Sequence, residues 1–193
     1  MSLNKRQIQK EETKKQIIRA AYRVYAEKGF SATTSDIAKA INVSHGTIFV
    51  HFSTRDDLLI QLLDDFDSTI ISRLHELTVS SEHISDILNA HLCAIEEHEA
   101  FYTRLINEGR LLPAEARNTF IAIQSTIAFH MIKMIEKERP AIKNGIPDYF
   151  IFNSWIGLIH YYLQNNDMFA PDSSVIKRYK NELTENFLKL IKR

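Results

Sequence analysis

Small polar residues occupy the stretch Ser44–Thr47, which reads SHGT and lies just before an apolar run. Hydroxyl and imidazole groups, together with the bare backbone of a glycine, suit contact with the edges of base pairs when they stand at the start of a helix. Asn42 tolerates the left-handed conformation of a tight turn, so Ser44 can cap a helix that runs to about His51. The spacing predicts the reading helix of a helix-turn-helix, although helix, turn and helix also occur in ordinary bundles.

The two short helices that flank this turn must be positioned by packing. Thr33 or Thr34 is expected to cap the first helix, and Asp36 adds negative charge to its first turn. The second has about two turns and is too short to be stable alone. Apolar side chains are predicted to hold both helices, namely Ile37, Ala38 and Ile41 in the first and Ile48, Phe49 and Phe52 in the second.

Basic residues concentrate in the N-terminal part, although the formal net charge of the chain is zero. Residues 1–55 contain ten Lys or Arg against four Asp or Glu, which leaves 14 against 20 for the rest of the chain. A basic end on an acidic body is expected of a protein that presents one face to a polyanion. The alternative is a basic helix that is simply solvated.

From Gly29 to Leu58 the sequence resembles the N-terminal signature of the TetR (tetracycline repressor) family. The agreement is in order and without a gap, and it covers about the first 60 residues. The matching positions are Gly29-Phe30, Thr33-Thr34, Ile37-Ala38, Val43-Ser44, Gly46-Thr47-Ile48-Phe49, His51-Phe52, Arg55 and Leu58. Phe49 stands where the family usually has Tyr, which removes a hydroxyl able to reach a phosphate, and Asn42 stands where Gly is common. Beyond Leu63 only the length and the helix pattern are similar.

The resemblance implies binding to double-stranded DNA and assigns contacts to positions of this chain. The implied DNA-binding residues are Thr34, Ser35, Ser44, His45, Gly46, Thr47, Phe49, His51 and Arg55. Among them the residues at positions 45–47 would read bases, whereas His51 and Arg55 would hold the phosphate backbone. A polar arm over residues 1–10, with Lys5, Arg6 and Lys10, is expected either to touch DNA nonspecifically or to remain a mobile tail.

Helices are predicted for nearly the whole chain, because it has only 5 Gly and 4 Pro. We expect an all-α fold of about nine helices, with a helix-turn-helix domain at 1–53 and a larger ligand-binding and dimerisation domain at 54–193. The predicted helices cover about 12–28, 34–41, 44–51, 54–77, 82–97, 100–107, 113–139, 147–164 and 174–192. The seventh is apolar on most sides, which predicts the buried centre of the second domain.

Aromatic residues with polar residues among them mark the second domain. The candidate ligand-binding residues are Phe101, Tyr102, Arg104, Phe120, Gln124, Phe129, His130, Phe152, Trp155 and His160. An apolar cavity with a few convergent polar groups is how small-molecule sites are built, so a pocket for an unknown apolar or aromatic effector is predicted among helices four to eight. An ordinary filled core would have a similar composition.

Apolar residues recur at alternating steps of three and four in the last two helices, about 147–164 and 174–192. Such stripes pack within one chain or against a second copy. We favour a homodimer through these helices, because reading a pseudo-palindromic operator needs a two-fold protein.

Enzyme chemistry finds no support in the sequence, which has no GxSxG, P-loop, HExxH or dinucleotide fingerprint. No cofactor and no metal site are predicted, because the spacing of His91 and His98 is poor for ligation and favours core or solvent roles. A lone Cys93 fits a reducing compartment. No apolar run predicts a membrane span or a signal peptide, so a cytoplasmic location is expected.

Together these patterns predict a one-component transcriptional regulator that resembles the TetR family, acting as a repressor that releases its operator when a small ligand binds. The alternative is a helical ligand-binding or interaction protein without sequence-specific DNA reading, which the loss of the Tyr hydroxyl at Phe49 would favour.

Overall fold

A computed structural model describes residues 4–193, and this part of the chain consists of helices and their connections. The α-helices are α1 (Lys5–Lys28), α2 (Thr34–Ala40), α3 (His45–His51), α4 (Arg55–Thr78), α5 (Ile84–Glu96), α6 (Glu99–Glu108), α7 (Ala114–Lys137), α8 (Asp148–Gln164), α9 (Asn166–Phe169) and α10 (Val175–Ile191). Short 3₁₀ turns lie at Gly109–Leu111 and Arg139–Ala141. The predicted all-α fold is confirmed. Over residues 4–193, no helix is apolar enough along a sufficient length to cross a membrane.

α1 begins at Lys5, about seven residues earlier than the sequence predicted. Asn4 caps it by accepting a hydrogen bond from the Arg6 amide, and the Gln7 side chain accepts one from the Asn4 amide at 2.9 Å. The prediction of an irregular arm is therefore wrong for residues 4–10, and positions 1–3 lie outside the described residues. Lys, Gln and Glu favour helices even without packing. A segment without apolar periodicity can therefore be an exposed helix instead of irregular structure.

α2 and α3 form the predicted helix-turn-helix. Thr33 caps α2 in a reciprocal capping box with Asp36, and Ser44 caps α3 by accepting from the Thr47 amide at 3.2 Å. Asn42 in the connecting turn has φ 54°, the left-handed conformation that its side chain tolerates. The turn at Asn42 and the cap at Ser44 were predicted from residue types and are confirmed, whereas the prediction left Thr33 and Thr34 open as caps of α2 and did not include the capping box.

The packing of α3 differs from the prediction at one aromatic residue. Ile48 is fully buried and Phe52 nearly so, whereas Phe49 keeps 43% of its surface exposed. A helix of two turns has one inner face, and residues 48 and 52 occupy it because they are four apart. Phe49 therefore contributes to the outer surface and not to the core.

α4 connects the first three helices to the rest of the chain. Thr54 and Asp57 form its capping box, and its apolar face is buried from Leu58 to Leu74. With 24 residues it spans about 36 Å. The buried core continues across this helix, so a division into domains at residue 53 stays a prediction.

α5 is the most buried helix of the second domain, a position that the sequence predicted for α7. α7 packs along α4 with one face, while Ile121 and Phe129 on its other face are 58% and 64% exposed. The prediction of a buried α7 is wrong because an apolar excess on a helix does not tell how many neighbours cover it. α9 is a short helix in the connection predicted as a loop.

Candidate nucleic-acid interface and buried polar cluster

The start of α3 stands exposed at the surface of the first three helices. Ser44, His45 and Gly46 are exposed and Thr47 is half-buried. The hydroxyl groups of Ser44 and Thr47 are 2.8 Å apart and hydrogen-bonded. A methyl group at Gly46 would meet nothing closer than the Ser44 Oγ at 3.8 Å, so the fold itself does not require this glycine. The open space in front of it is available to a bound molecule.

His45 is held in place by residues of both short helices. Its Nε2 lies 2.8 Å from the Thr34 Oγ1, and its ring meets Phe49 edge-on at 5.0 Å between centroids. Thr34 is only 8% exposed. The structure therefore places Thr34 behind His45, where it orients the imidazole, and not at the surface where a direct contact was expected.

Arg55 is also engaged within the protein. Its guanidinium donates a hydrogen bond to the Phe30 carbonyl and lies over the Tyr25 ring at 5.8 Å from the centroid. These contacts tie the start of α4 to the connection after α1. In this structure Arg55 is a positioning residue for the helix-turn-helix, although the sequence assigned it to the phosphate backbone.

The first turns of α1 and the end of α3 enclose a groove of about 560 Å³. Arg6, Lys10, Val50 and His51 line it. Burial lowers the pKa of His51, and the charge of Lys10 lowers it further, so His51 is neutral at pH 7. The positive charge beside α3 thus comes from the start of α1. Ser35, predicted as a contact, lies half-buried in the first turn of α2.

A buried polar cluster lies between α5, α6 and α8. The indole Nε1 of Trp155 donates to the His91 Nδ1 at 2.9 Å, and the Tyr102 hydroxyl is 3.3 Å from the His160 Nε2. Burial, with a smaller effect from His160, lowers the pKa of His91 to about 3, and burial lowers that of His160 to about 4. Both rings are therefore neutral at pH 7. The cluster unites three predicted ligand-binding residues, namely Tyr102, Trp155 and His160.

One donor of this cluster has no partner among residues 4–193. Because the Nδ1 of His91 accepts the indole proton, the neutral ring carries its own proton on Nε2. That Nε2 is buried and makes no hydrogen bond, and the residue is 1% exposed. An unsatisfied buried donor costs about 1–3 kcal/mol, so the site is suited to an acceptor atom of a bound molecule. The sequence had indicated His91 only as a poorly spaced metal-ligand candidate, with a core or solvent role favoured.

The other candidate ligand-binding residues fall into separate places. Phe120 meets Tyr102 edge-on at 5.7 Å, which adds it to the cluster. Phe101 stacks on Tyr22 at 4.5 Å, and Arg104 also faces α1. The remaining four are half-buried or exposed along α7 and α8, namely Gln124, Phe129, His130 and Phe152. Phe129 and His130 contact each other at 5.6 Å on α7, outside the cluster.

α6 joins the polar cluster to the helix-turn-helix. Tyr102 lies near its start, and Arg104 donates from Nη2 to the Glu27 carbonyl at the end of α1 at 3.0 Å. Glu108, at the end of α6, pairs with Arg104 and accepts from the Phe30 amide at 2.6 Å. One helix of ten residues therefore touches both regions.

Gly29 makes this junction possible. It has φ +79°, and a methyl group there would lie 2.5 Å from the Glu108 Oε1. Both the backbone conformation and the close approach of the carboxylate exclude a side chain at this position.

Comparison with known proteins gives a consistent result. Residues 17–62 match the family model described as "Bacterial regulatory proteins, tetR family". Over 101 residues the chain is 34% identical to an HTH-type transcriptional repressor of Mycobacterium tuberculosis, a match that covers 52% of this chain and 50% of that protein. The chain spans about half the length of the curated relatives it matches.

Two solved structures share the fold over nearly the whole chain. The ketosteroid transcriptional regulator KstR2 of Mycobacterium tuberculosis has a TM-score of 0.75 at 15% identity, covering 100% of this chain and 97% of that one. FadR of Bacillus subtilis, in complex with stearoyl-CoA, has a TM-score of 0.72 at 22% identity, covering 90% of this chain and 96% of that one. These likenesses establish the fold, a helix-turn-helix domain followed by a larger helical domain.

Proposed function

We propose that this chain, which belongs to the TetR family of bacterial regulatory proteins, is a one-component transcriptional repressor that releases operator DNA when a small ligand occupies its second domain. The observation that carries the proposal is the capped and exposed start of α3, with His45 oriented by Thr34 at the surface of a basic unit. Relatives named as HTH-type transcriptional repressors support the sign of the regulation. Its place of action is then the cytoplasm, where the DNA lies.

The DNA contacts in this proposal follow from the exposed groups. His45, Gly46 and Thr47 face base edges, with Ser44 and Ser35 beside them. Phe49 offers an exposed ring where the family usually has Tyr, and an aromatic ring at this place suits the methyl group of a thymine. Arg6 and Lys10, with neutral His51, hold the phosphate backbone. Phosphate contacts supply affinity and register, and base contacts supply sequence choice.

A homodimer through α8 and α10 presents two copies of α3 to successive major grooves of a pseudo-palindromic operator, about 34 Å apart. The outer face of α8 supports this arrangement, because Phe150 and Tyr161 are exposed on it with Gly157 between them. A glycine inside a helix costs about 0.5–1 kcal/mol relative to alanine. A methyl group at Gly157 would meet nothing within 4 Å in one protomer, so close approach of a second copy accounts for this residue.

The effector in this proposal is an apolar or aromatic molecule with a hydrogen-bond acceptor. The acceptor meets the unpaired Nε2–H of His91, and the apolar part lies against Tyr102 and Trp155. In this proposal the bound effector displaces Tyr102 and thereby moves α6. Arg104 and Glu108 transmit this movement to the end of α1 through their hydrogen bonds. Control requires that the ligand bind the two arrangements with different affinity.

Fluorescence anisotropy with a labelled duplex from upstream of the protein's own gene tests the function. We expect tight binding to that duplex and weaker binding to a scrambled one, with a steep loss of affinity between about 50 and 200 mM salt. His45→Ala should reduce the difference between the duplexes, whereas His75→Ala, on the exposed side of α4, is a matched control.

The alternative is a helical ligand-binding protein without sequence-specific reading, which Phe49 in place of Tyr favours. It predicts equal affinity for the specific and scrambled duplexes, with His45→Ala and His75→Ala indistinguishable. That result would remove the repressor proposal and leave the polar cluster as a ligand site.

A further inference from the structure

A cleft lies between α1 and α4. It is separate from the buried polar cluster that is proposed as the effector site. Its volume is about 580 Å³, within the range of about 300–1,000 Å³ usual for small-molecule sites. Its floor is apolar, formed by Ile18 of α1 with Leu62 and Phe66 of α4. The space is thus large enough and apolar enough for an organic ligand.

The inner end of the cleft is closed by a fixed polar pair. The Tyr22 hydroxyl and the His98 Nδ1 are 2.8 Å apart, and both rings pack against Phe66. Burial raises the pKa of Tyr22 to about 12 and lowers that of His98, so both side chains are neutral at pH 7. The two side chains hydrogen-bond to each other, so the inner end of the cleft suits the apolar groups of a ligand.

The open rim of the cleft carries charged side chains of both signs. Arg19 and Arg23 stand on the α1 side, and Asp65 stands on the α4 side. Arg19 is paired with Glu12 at 2.9 Å, and the carboxylate of Asp65 accepts from Gln61 at 3.0 Å. Within residues 4–193, Arg23 has no ion pair or side-chain hydrogen bond. Its guanidinium is therefore free to form a bidentate pair with an anion.

We propose that this cleft binds an apolar monocarboxylate, with its tail on Ile18, Leu62 and Phe66 and its carboxylate on Arg23. The site is distinct from the effector site at His91 and does not depend on it. Because its two walls belong to the helix-turn-helix unit and to α4, occupancy of the cleft is thermodynamically linked to the angle between them.

Photo-crosslinking with a diazirine-bearing decanoate, followed by peptide mapping of the full-length chain, tests this proposal. We expect saturable labelling of peptides from residues 16–23 and 62–69. An excess of plain decanoate should compete with the label, and decanamide of the same length should compete at least about fivefold less well, since it lacks the charge that Arg23 binds.

Two variants and two matched controls locate the site. Arg23→Gln removes the cation, and Thr69→Trp fills the rim from an exposed position of α4. Each should weaken saturable labelling at least about fivefold. Arg110→Gln removes an exposed arginine elsewhere, and Ser68→Trp adds the same bulk one residue away. Both controls should stay within about twofold of the unchanged chain, which also shows that the added tryptophan is tolerated.

Three results would overturn the proposal. Labelling confined to α5–α8 would show that the acid occupies only the effector region, and it would leave the proposed repressor function standing. Equal competition by decanamide would show that Arg23 does not bind the carboxylate. Absence of saturable labelling would remove the site. Loss of DNA binding, by contrast, would contradict the repressor proposal without affecting the labelling.

Discussion

Two neighbouring side chains set the orientation of His45, the residue predicted to contact a base. The Thr34 hydroxyl engages one ring nitrogen at 2.8 Å, and the Phe49 ring packs against its edge. In the proposed complex the other ring nitrogen would contact a base, in an orientation already set by these two contacts. The family resemblance indicated His45 and Thr34 as two DNA contacts. The structure makes one of them the support of the other.

His45→Ala should relax sequence choice at one base pair with little change in salt dependence. A bidentate or well-oriented base contact contributes about 1–3 kcal/mol of discrimination, and the alanine variant loses it. Anisotropy against a set of single-base operator variants measures this loss. A uniform weakening across all variants would assign His45 to the backbone.

Lys10→Ala is expected to show the opposite behaviour. Lys10 lies in the groove beside α3, and in the proposed complex it would contact phosphates rather than bases. All sequences should be bound more weakly, and the slope of log affinity against log salt should fall by about one. An unchanged slope would place Lys10 away from the phosphates.

The buried histidines predict a dependence of stability on pH. The pKa of His91 is lowered from 6.5 to about 3 and that of His160 to about 4, mainly by burial. Below about pH 6.5 the unfolded chain takes up protons at both positions and the folded chain does not, so the free energy of unfolding falls as the pH drops toward 4. The slope is at most about 1.4 kcal/mol per pH unit for each histidine.

Urea unfolding at about pH 7 and at about pH 5 measures this effect. His91→Gln removes one titrating group and should flatten the dependence. His75→Gln, exposed on α4, is the control and should keep the full dependence. Equal pH dependence in both variants would mean that His91 is not held neutral by the fold.

At the scale of the elements, the α1–α6 junction is the tightest contact between the two parts of the chain. Gly29 has positive φ and faces Glu108, while Gly145 has φ +80° and a methyl group there would meet nothing within 4 Å. A side chain at either position would have the same unfavourable backbone conformation. Only at Gly29 would it also displace the Glu108 carboxylate.

Gly29→Ala should therefore destabilise the chain more than Gly145→Ala. The backbone cost is about 1–2 kcal/mol for each variant. The first variant also disturbs the hydrogen bond from the Phe30 amide to Glu108, which adds about 1–3 kcal/mol. Thermal or urea unfolding measures the difference. Equal losses would show that Glu108 moves aside without cost.

Sequence reasoning predicted the elements wherever a side chain acts on its own backbone. Asn42 and Ser44 were correctly placed as turn residue and cap, and the cap of α2 was narrowed to Thr33 or Thr34, because these side chains act on backbone within a few positions. Contacts between residues that are distant in the sequence were not predicted. Trp155 and His91 are 64 positions apart, and no spacing rule links them.

The surface of α7 was missed for a related reason. Its apolar residues predicted burial, but their number does not reveal that α4, α5 and α8 leave one side of α7 uncovered. Arg55 was assigned to the phosphate backbone by the family resemblance, and Arg104 was assigned to the ligand as a polar residue among the aromatics of the second domain. In the structure both donate to backbone carbonyls near the end of α1.

At the scale of the whole molecule, the outer face of α8 decides whether two copies associate. α10 offers Leu190 as its large exposed apolar residue, whereas α8 offers Tyr149, Phe150 and Tyr161. The predicted dimer through both helices should therefore draw most of its apolar contact from α8.

Gly157→Ala separates folding from association. In one protomer the added methyl meets nothing, so it should stabilise the helix by about 0.5–1 kcal/mol. In the dimer it should hold the partner helix away and raise the dissociation constant about tenfold, equivalent to about 1.4 kcal/mol. Sedimentation velocity over a range of concentrations measures the second effect and urea unfolding the first.

Gly109→Ala is the control, because a methyl there also meets nothing within 4 Å and the residue lies away from α8. It should leave the dissociation constant unchanged. An unaltered dissociation constant in Gly157→Ala would move the interface away from the middle of α8.

α6 has ten residues, about 15 Å of helix, with Tyr102 near one end and Glu108 at the other. Each added residue turns a helix by about 100°, so a single insertion after Tyr102 would rotate its two ends out of phase. Such a chain would retain the buried polar cluster and the helix-turn-helix, but the contacts of α6 with the two would no longer be aligned. If the proposed coupling through α6 is right, it depends on the helical register between Tyr102 and Glu108, and an insertion there should abolish the ligand response while leaving DNA binding intact.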